Sequence, residues 1–177
     1  MGGTLKAPLS TTMQLAASCR AEPLIFDGVL PELCPDLEQV ILQRMQTGRS
    51  TASLNVGGWK STEDFFSWPD AAVQKLRQRI VAEMGAPRLV AWAMVNRAGS
   101  HHPRHQHRVA VLTGIYYVAV GSEDSITPTV FECEDGSALE VEPHPGRLAI
   151  FRGECWHSVP KYMGALPRIT IAFDVRR

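Results

Sequence analysis

Four histidines, His101, His102, His105 and His107, crowd into the stretch His101 to Val118, which reads HHPRHQHRVAVLTGIYYV. Side chains of an extended backbone alternate, so His105 and His107, two residues apart, leave it on the same side and can share one metal ion. A third ligand must come from elsewhere in the fold, and His157, in the apolar run Phe151-Arg-Gly-Glu-Cys-Trp-His157-Ser-Val, is the leading candidate. Imidazole suits iron, zinc, copper and nickel, and three protein ligands with open positions describe a catalytic centre rather than a closed structural one. The blander alternative is a chance cluster of surface histidines with His157 as a satisfied core residue. His101 and His102 precede Pro103 and, as loop histidines, are expected to be solvated near the mouth of any site. Glu154 is the only carboxylate close to His157 in sequence, but an offset of three residues on a turn keeps it out of the ligand set.

A second constellation lies near the C-terminus, in Arg168-Ile-Thr170-Ile-Ala172-Phe-Asp174. Strand alternation puts Arg168, Thr170 and Ala172 on one face and Ile169, Ile171 and Phe173 on the other. An arginine beside small side chains has room to enter a cavity and grip a carboxylate with its planar fork, and Thr170 can donate to the same anion. Standing alone, Arg168 would read as an ordinary edge-strand arginine.

The elements that must position these residues change character along the chain. Residues up to about Arg20 are unpatterned and expected to be loose, and the first strand is expected around Leu24, Ile25 and Phe26. A helix is predicted from Pro35 and Asp36, with Leu37, Val40, Ile41 and Met45 at helical spacing and Gly48 as its stop. Ser53 to Ser61, with Gly57 and Gly58, reads as a turn. A second helix is expected with Ser67 as cap, Val73, Leu76, Ile80 and Met84 on one face, solvated Lys75, Arg77 and Arg79 on the other, and Gly85 with Pro87 ending it. From Arg88 onward the period shortens to that of strands: Leu89–Val95, Val109–Val120, Thr129–Cys133 and Leu139–Val141 around the Asp135-Gly136 turn, Leu148–Phe151, and Ile169–Val175. Helices followed by a run of strands is an α+β pattern, and the sheets should be antiparallel and fold into a sandwich or barrel.

At 177 residues the chain fits one domain, residues 1–177, with a barrel core from about 88 to 177. Lysine plus arginine and aspartate plus glutamate balance at 18 each, which leaves no electrostatic footprint for nucleic acid or an anionic membrane. Cys19, Cys34, Cys133 and Cys155 show no paired spacing, so they read as reduced thiols in a cytoplasm. The N-terminal stretch lacks a convincing signal-peptide pattern, and no run reaches transmembrane length.

The ordered set His105-x-His107, Thr113-Gly-Ile-Tyr-Tyr117-Val, Gly146-Arg-Leu-Ala-Ile-Phe151, His157-x-Val-Pro160 and Arg168-x-Thr170 resembles the core of iron(II)- and 2-oxoglutarate-dependent oxygenases. Asn55-Val-Gly-Gly-Trp59-x-Ser61 and Trp92 to Asn96 narrow the likeness to a bacterial and phage branch related to prolyl hydroxylases. It covers about Ser53 to the C-terminus. The resemblance implies a double-stranded β-helix, or jelly roll, with helices packed on one outer face, and iron(II) and 2-oxoglutarate as cofactor and cosubstrate. By the same carry-over His105 and His157 match the metal histidines, Arg168 and Thr170 match the pair that holds the distal carboxylate of 2-oxoglutarate, and Tyr117 matches a tyrosine that shares it. Asn96 is expected to line the pocket. His107 stands where prolyl hydroxylase relatives carry the aspartate of a two-histidine, one-carboxylate triad, so a set of three neutral imidazoles, His105, His107 and His157, is expected here.

The implied activity is hydroxylation of an unidentified small-molecule or peptide substrate with decarboxylation of 2-oxoglutarate to succinate; nucleic acid and membrane are not expected partners, and a homodimer is allowed. Two alternatives stand beside it. A cupin-type metal dioxygenase or isomerase also uses a His-x-His pair, but the region after the pair, Val109-Ala-Val-Leu112, has no cupin-like glutamate, and Arg168 and Thr170 go unexplained. A non-catalytic jelly-roll binding module would carry the histidines as a vestige.

Overall fold

The computed structural model describes residues 22–51, 54–85 and 88–176. The expectations for residues 1–20, and those on Cys19, Ser53 and Pro87, fall outside them.

Among the described residues ten strands run in the order β1 (Leu24–Phe26), β2 (Trp59–Lys60), β3 (Leu89–Asn96), β4 (His102–His105), β5 (Ala110–Val120), β6 (Thr129–Glu132), β7 (Ala138–Val141), β8 (Leu148–Arg152), β9 (His157–Val159) and β10 (Arg168–Arg176). Two helices, α1 (Cys34–Thr47) and α2 (Ala71–Met84), precede β3. The strands form a six-stranded sheet, β1-β8-β5-β10-β3-β2, and a four-stranded sheet, β4-β9-β6-β7, and all named pairings are antiparallel. This is the α+β double-stranded β-helix, with both helices outside the larger sheet.

Alternation makes that sheet two-faced. Ala91, Ala93, Val95, Leu112, Tyr116, Val118, Leu148, Ile150, Ile169, Ile171 and Phe173 share one buried cluster with Leu37 and Ile41 of α1 and Val73, Leu76, Ile80 and Met84 of α2. The apolar stripe of each helix thus covers one face of the sheet. The opposite face of the same strands carries Trp92, Met94, Ile115, Arg168, Thr170 and Ala172 into the space between the sheets. Gly114 is required where it stands, because a Cβ there would collide with the ring of Phe173.

Three strands were not expected: β2 inside the segment read as a turn, and β4 and β9, each too short to show a period. The cap of α2 is also corrected. Ser67 belongs to a 3-10 turn, Phe65–Ser67, and the helix begins after Asp70, whose side chain makes no capping bond. The turn wins because it buries Phe65, Phe66 and Trp68, while Gln74 donates to the carbonyls of Phe66 and Trp68 and closes it. Gly85 ends α2 in the left-handed conformation at φ 59°, as a glycine can. Among the described residues no helix is long and apolar enough to cross a membrane.

Candidate metal and oxo-acid site

The register of β4 on β9 sets His105 directly opposite His157, and their rings lie 4.2 Å apart between centroids. β4 ends at His105, so His107 reaches the site from the connection to β5 rather than from a continued strand as alternation alone predicted. Its backbone is pinned there: the amide donates to the carbonyl of Gly153 at 2.7 Å and its carbonyl accepts from Ala110 at 2.9 Å. Gly153 permits this approach, since a Cβ would run into the carbonyl oxygens of Ala110 and His107. The rings of His107 and His157 are 5.3 Å apart, and one ring nitrogen from each of His105, His107 and His157 lies within 4.8 Å of the others.

The second nitrogen of each ring is already engaged. Nδ1 of His105 meets the carbonyl of Pro103 at 2.8 Å, Nδ1 of His157 meets the carbonyl of Cys155 at 3.0 Å, and Nδ1 of His107 meets Oδ1 of Asp174 at 2.8 Å. A carbonyl oxygen only accepts, so Nδ1 carries the proton in His105 and His157 and Nε2 is left with its lone pair. Burial pushes the His157 imidazole down to about 3 and lowers that of His105, so both are neutral and able to ligate near pH 7.

These rings form one end of a cavity of about 440 Å³. At the other end stands Arg168, 1% exposed. Its Nε donates to the carbonyl of Thr127 at 3.2 Å and its Nη2 to Oγ1 of Thr129 at 3.3 Å, while burial opposes its charge. Among the described residues no carboxylate forms an ion pair with it. A buried guanidinium without a counter-ion is expensive, and an anion entering the cavity supplies one. Thr170, also 1% exposed, lines the same space.

Tyr117 is fully buried and donates to Thr129 Oγ1 at 2.8 Å, so it touches the Arg168 site through that hydroxyl rather than from the cavity wall. Asn96, expected to line the pocket, sits one residue back: it is fully buried and donates at 3.3 Å to Asn55, which does line it. His102, expected to be solvated, is 8% exposed, lines the cavity from β4, and has a buried Nε2 without a hydrogen-bond partner among the described residues. Glu154, kept out of the ligand set above, pairs with Arg152 at the surface, and Asp174 is the acid that reaches a histidine of the set.

Two contributors were missed, Thr129 and Asp174. Thr129 had no sequence signal beyond opening a strand. Asp174 had one, because the alternation that groups Arg168, Thr170 and Ala172 reaches it at the next step. Of the tryptophans, Trp92 is cavity wall and stacks on His107 at 5.7 Å with 12° between planes.

A family model described as "Putative 2OG-Fe(II) oxygenase" matches residues 90–136 and 127–174, a span that contains both histidine elements and the Arg168 strand. Over these residues the chain is similar to the 2OG-Fe(II) oxygenase family. Its fold has solved counterparts: a Pseudomonas putida prolyl-4-hydroxylase at TM-score 0.72 and 19% identity, covering 96% of this chain and 98% of that one; a Trichoplax adhaerens prolyl hydroxylase, solved with a hypoxia-inducible-factor peptide fragment, at 0.70 and 15%, covering 95% and 91%; and a viral collagen prolyl hydroxylase from Paramecium bursaria Chlorella virus-1, solved with 2-oxoglutarate, at 0.65 and 12%, covering 89% and 97%. At these identities the likeness is one of fold. No curated protein sequence matches the chain significantly.

Members of the 2OG-Fe(II) oxygenase family use iron(II) and 2-oxoglutarate, and the donor set fits both. An ion held by imidazoles at ~2.1 Å spans nitrogens up to ~4.2 Å apart, within a small side-chain adjustment of the set. The uncompensated Arg168 fits a dicarboxylate whose far end must be bound away from the metal.

Proposed function

We propose that this single domain is an iron(II)- and 2-oxoglutarate-dependent dioxygenase that hydroxylates a C–H bond of a small-molecule or peptide substrate. The observation that carries the reading is Arg168, buried with no carboxylate ion-pair partner among the described residues, in a cavity that three imidazoles also line. His105, His107 and His157 hold the metal through Nε2. Arg168 grips the distal carboxylate of 2-oxoglutarate. Thr129 and Thr170 donate to the same group, and Tyr117 holds Thr129 in place. Asn96 acts at one remove, orienting Asn55 at the cavity wall.

Iron(II), when bound, would supply the redox chemistry by which dioxygen, 2-oxoglutarate and the substrate C–H bond yield succinate, carbon dioxide and the hydroxylated product. The chain's own task is binding, orientation and exclusion of water, and the walls formed by Trp92, Met94, Ile115, Val159 and Ala172 serve the last. The buried Arg168 also weighs against a cupin-type enzyme, which has no use for an anion clamp opposite its metal. The free thiols of Cys34 and Cys133 agree with a reducing, cytoplasmic setting.

Anaerobic titration with iron(II) and then 2-oxoglutarate tests the reading. A visible charge-transfer band that requires both, and that is absent from Arg168→Ala at the same oxo-acid concentration, is the expected result. A protein that binds iron but gives no band with the oxo acid returns the cupin alternative, and one that binds neither is a non-catalytic module.

A further inference from the structure

Asp174 is 3% exposed, on a central strand, and faces the cavity side of the sheet. Its Oδ1 receives Nδ1 of His107 at 2.8 Å and, at 3.0 Å, the hydroxyl of Thr113, its direct cross-strand partner on β5. His105 and His157 are oriented by backbone carbonyls, which are neutral. His107 alone of the three is oriented by a charged acceptor. Trp92, stacked on the His107 ring, limits its rotation, so the Nδ1 contact and the ring plane are fixed together. A carboxylate on the outer nitrogen of a ligating imidazole fixes the tautomer, raises the basicity of the inner nitrogen and lends the ligand part of its negative charge.

We propose that Asp174 is a positioning residue of the metal centre that supplies, through the His107 imidazole, the negative charge a directly ligating carboxylate would otherwise bring. This rests on the reading that His105, His107 and His157 bind the metal. It accounts for how a centre of three imidazoles serves where a two-histidine, one-carboxylate set is the usual arrangement: the acid is present, displaced outward by one imidazole ring. It also makes Asp174 and an acid at position 107 mutually redundant, because together they put two negative charges on one side of the site.

A purely structural aspartate, held by Thr113, predicts the same consequence of its removal whatever stands at position 107. Charge supplied through His107 predicts an effect that depends on it. The test is a double-mutant cycle on Mn(II) affinity, read by calorimetry on the full chain without oxo acid, with thermal unfolding in chelator as the check on fold. Asp174→Asn is expected to weaken Mn(II) binding about tenfold to a hundredfold in the otherwise native protein, and to leave it unchanged or tighten it when combined with His107→Asp. Equal losses in both backgrounds overturn the proposal. Wild-type protein that takes up no Mn(II) brings down the metal-centre reading itself, which a loss confined to the variants does not. Should Asp174→Asn fail to fold, the native protein still decides. Nitrogen-15 correlation spectra of metal-free protein are expected to show His107 protonated on Nδ1, and protonation on Nε2 overturns the proposal.

Discussion

Tyr117 and Arg168 converge on one atom: the phenol donates to Oγ1 of Thr129 at 2.8 Å and the guanidinium donates to the same oxygen at 3.3 Å. With both its lone pairs occupied, the Thr129 hydroxyl has its own proton to give, and an anion beside Arg168 is the acceptor it lacks. The guanidinium carbon stands 5.6 Å over the Tyr117 ring, a further favourable contact for a charge that burial penalises.

Arg168→Ala removes the counter-charge proposed for the distal carboxylate of 2-oxoglutarate. Truncating a buried charge-assisted pair costs about 2–5 kcal/mol, so 2-oxoglutarate affinity is expected to fall from roughly 30-fold to a few thousand-fold while metal affinity is retained. Calorimetry with 2-oxoglutarate on the Mn(II)-loaded protein measures it. An affinity equal to that of the native protein places the clamp elsewhere.

His107→Ala deletes one of three donors. Metal affinity is expected to drop about tenfold to a thousandfold, or ~1.4–4 kcal/mol. If iron or manganese binding is unchanged, His107 is a bystander and two histidines suffice.

The metal-free protein should lose stability as acid is added. Burial holds His102 and His157 down to about 3, against ~6.5 in the unfolded chain. Between these values the unfolded state binds protons that the folded state refuses, so stability is full above about pH 6.5 and declines as pH falls toward 3. Urea midpoints in chelator across that range measure the slope, and His102→Gln should flatten it. A midpoint independent of pH between 6.5 and 4 contradicts the burial of these rings.

Gly153→Ala should disturb the site through the backbone. The added Cβ meets two carbonyl oxygens, one of them that of His107, and neither is the end of a flexible side chain. A loss of about 1–3 kcal/mol of stability is expected from the forced shift, with a separate loss of metal affinity because His107 is displaced. Retained Mn(II) affinity in a destabilised protein would show that the loop moves without carrying His107.

The parts that depend on local period and composition were legible in the chain before any fold was known. The two apolar stripes, Leu37 with Ile41 and Val73 through Met84, predict helices that cover a sheet, and they do so. The alternation of Arg168, Thr170 and Ala172 against Ile169, Ile171 and Phe173 is carried over intact, because one face of β10 is buried under helices and a slip of one residue would expose it. The His-x-His pair and His157 were legible as residue types suited to a metal. What surrounds them was set by long-range packing. β4 and β9 are too short to carry a period, and their pairing, which sets His105 opposite His157, is a contact between segments about 50 residues apart. The reach of His107 depends on the absence of a side chain at Gly153, Arg168 is held by a hydroxyl from another strand, and Asp174 lies 67 residues from the histidine it hydrogen-bonds. Such partners are chosen by strand register and sheet closure, which long-range packing sets and no local pattern encodes.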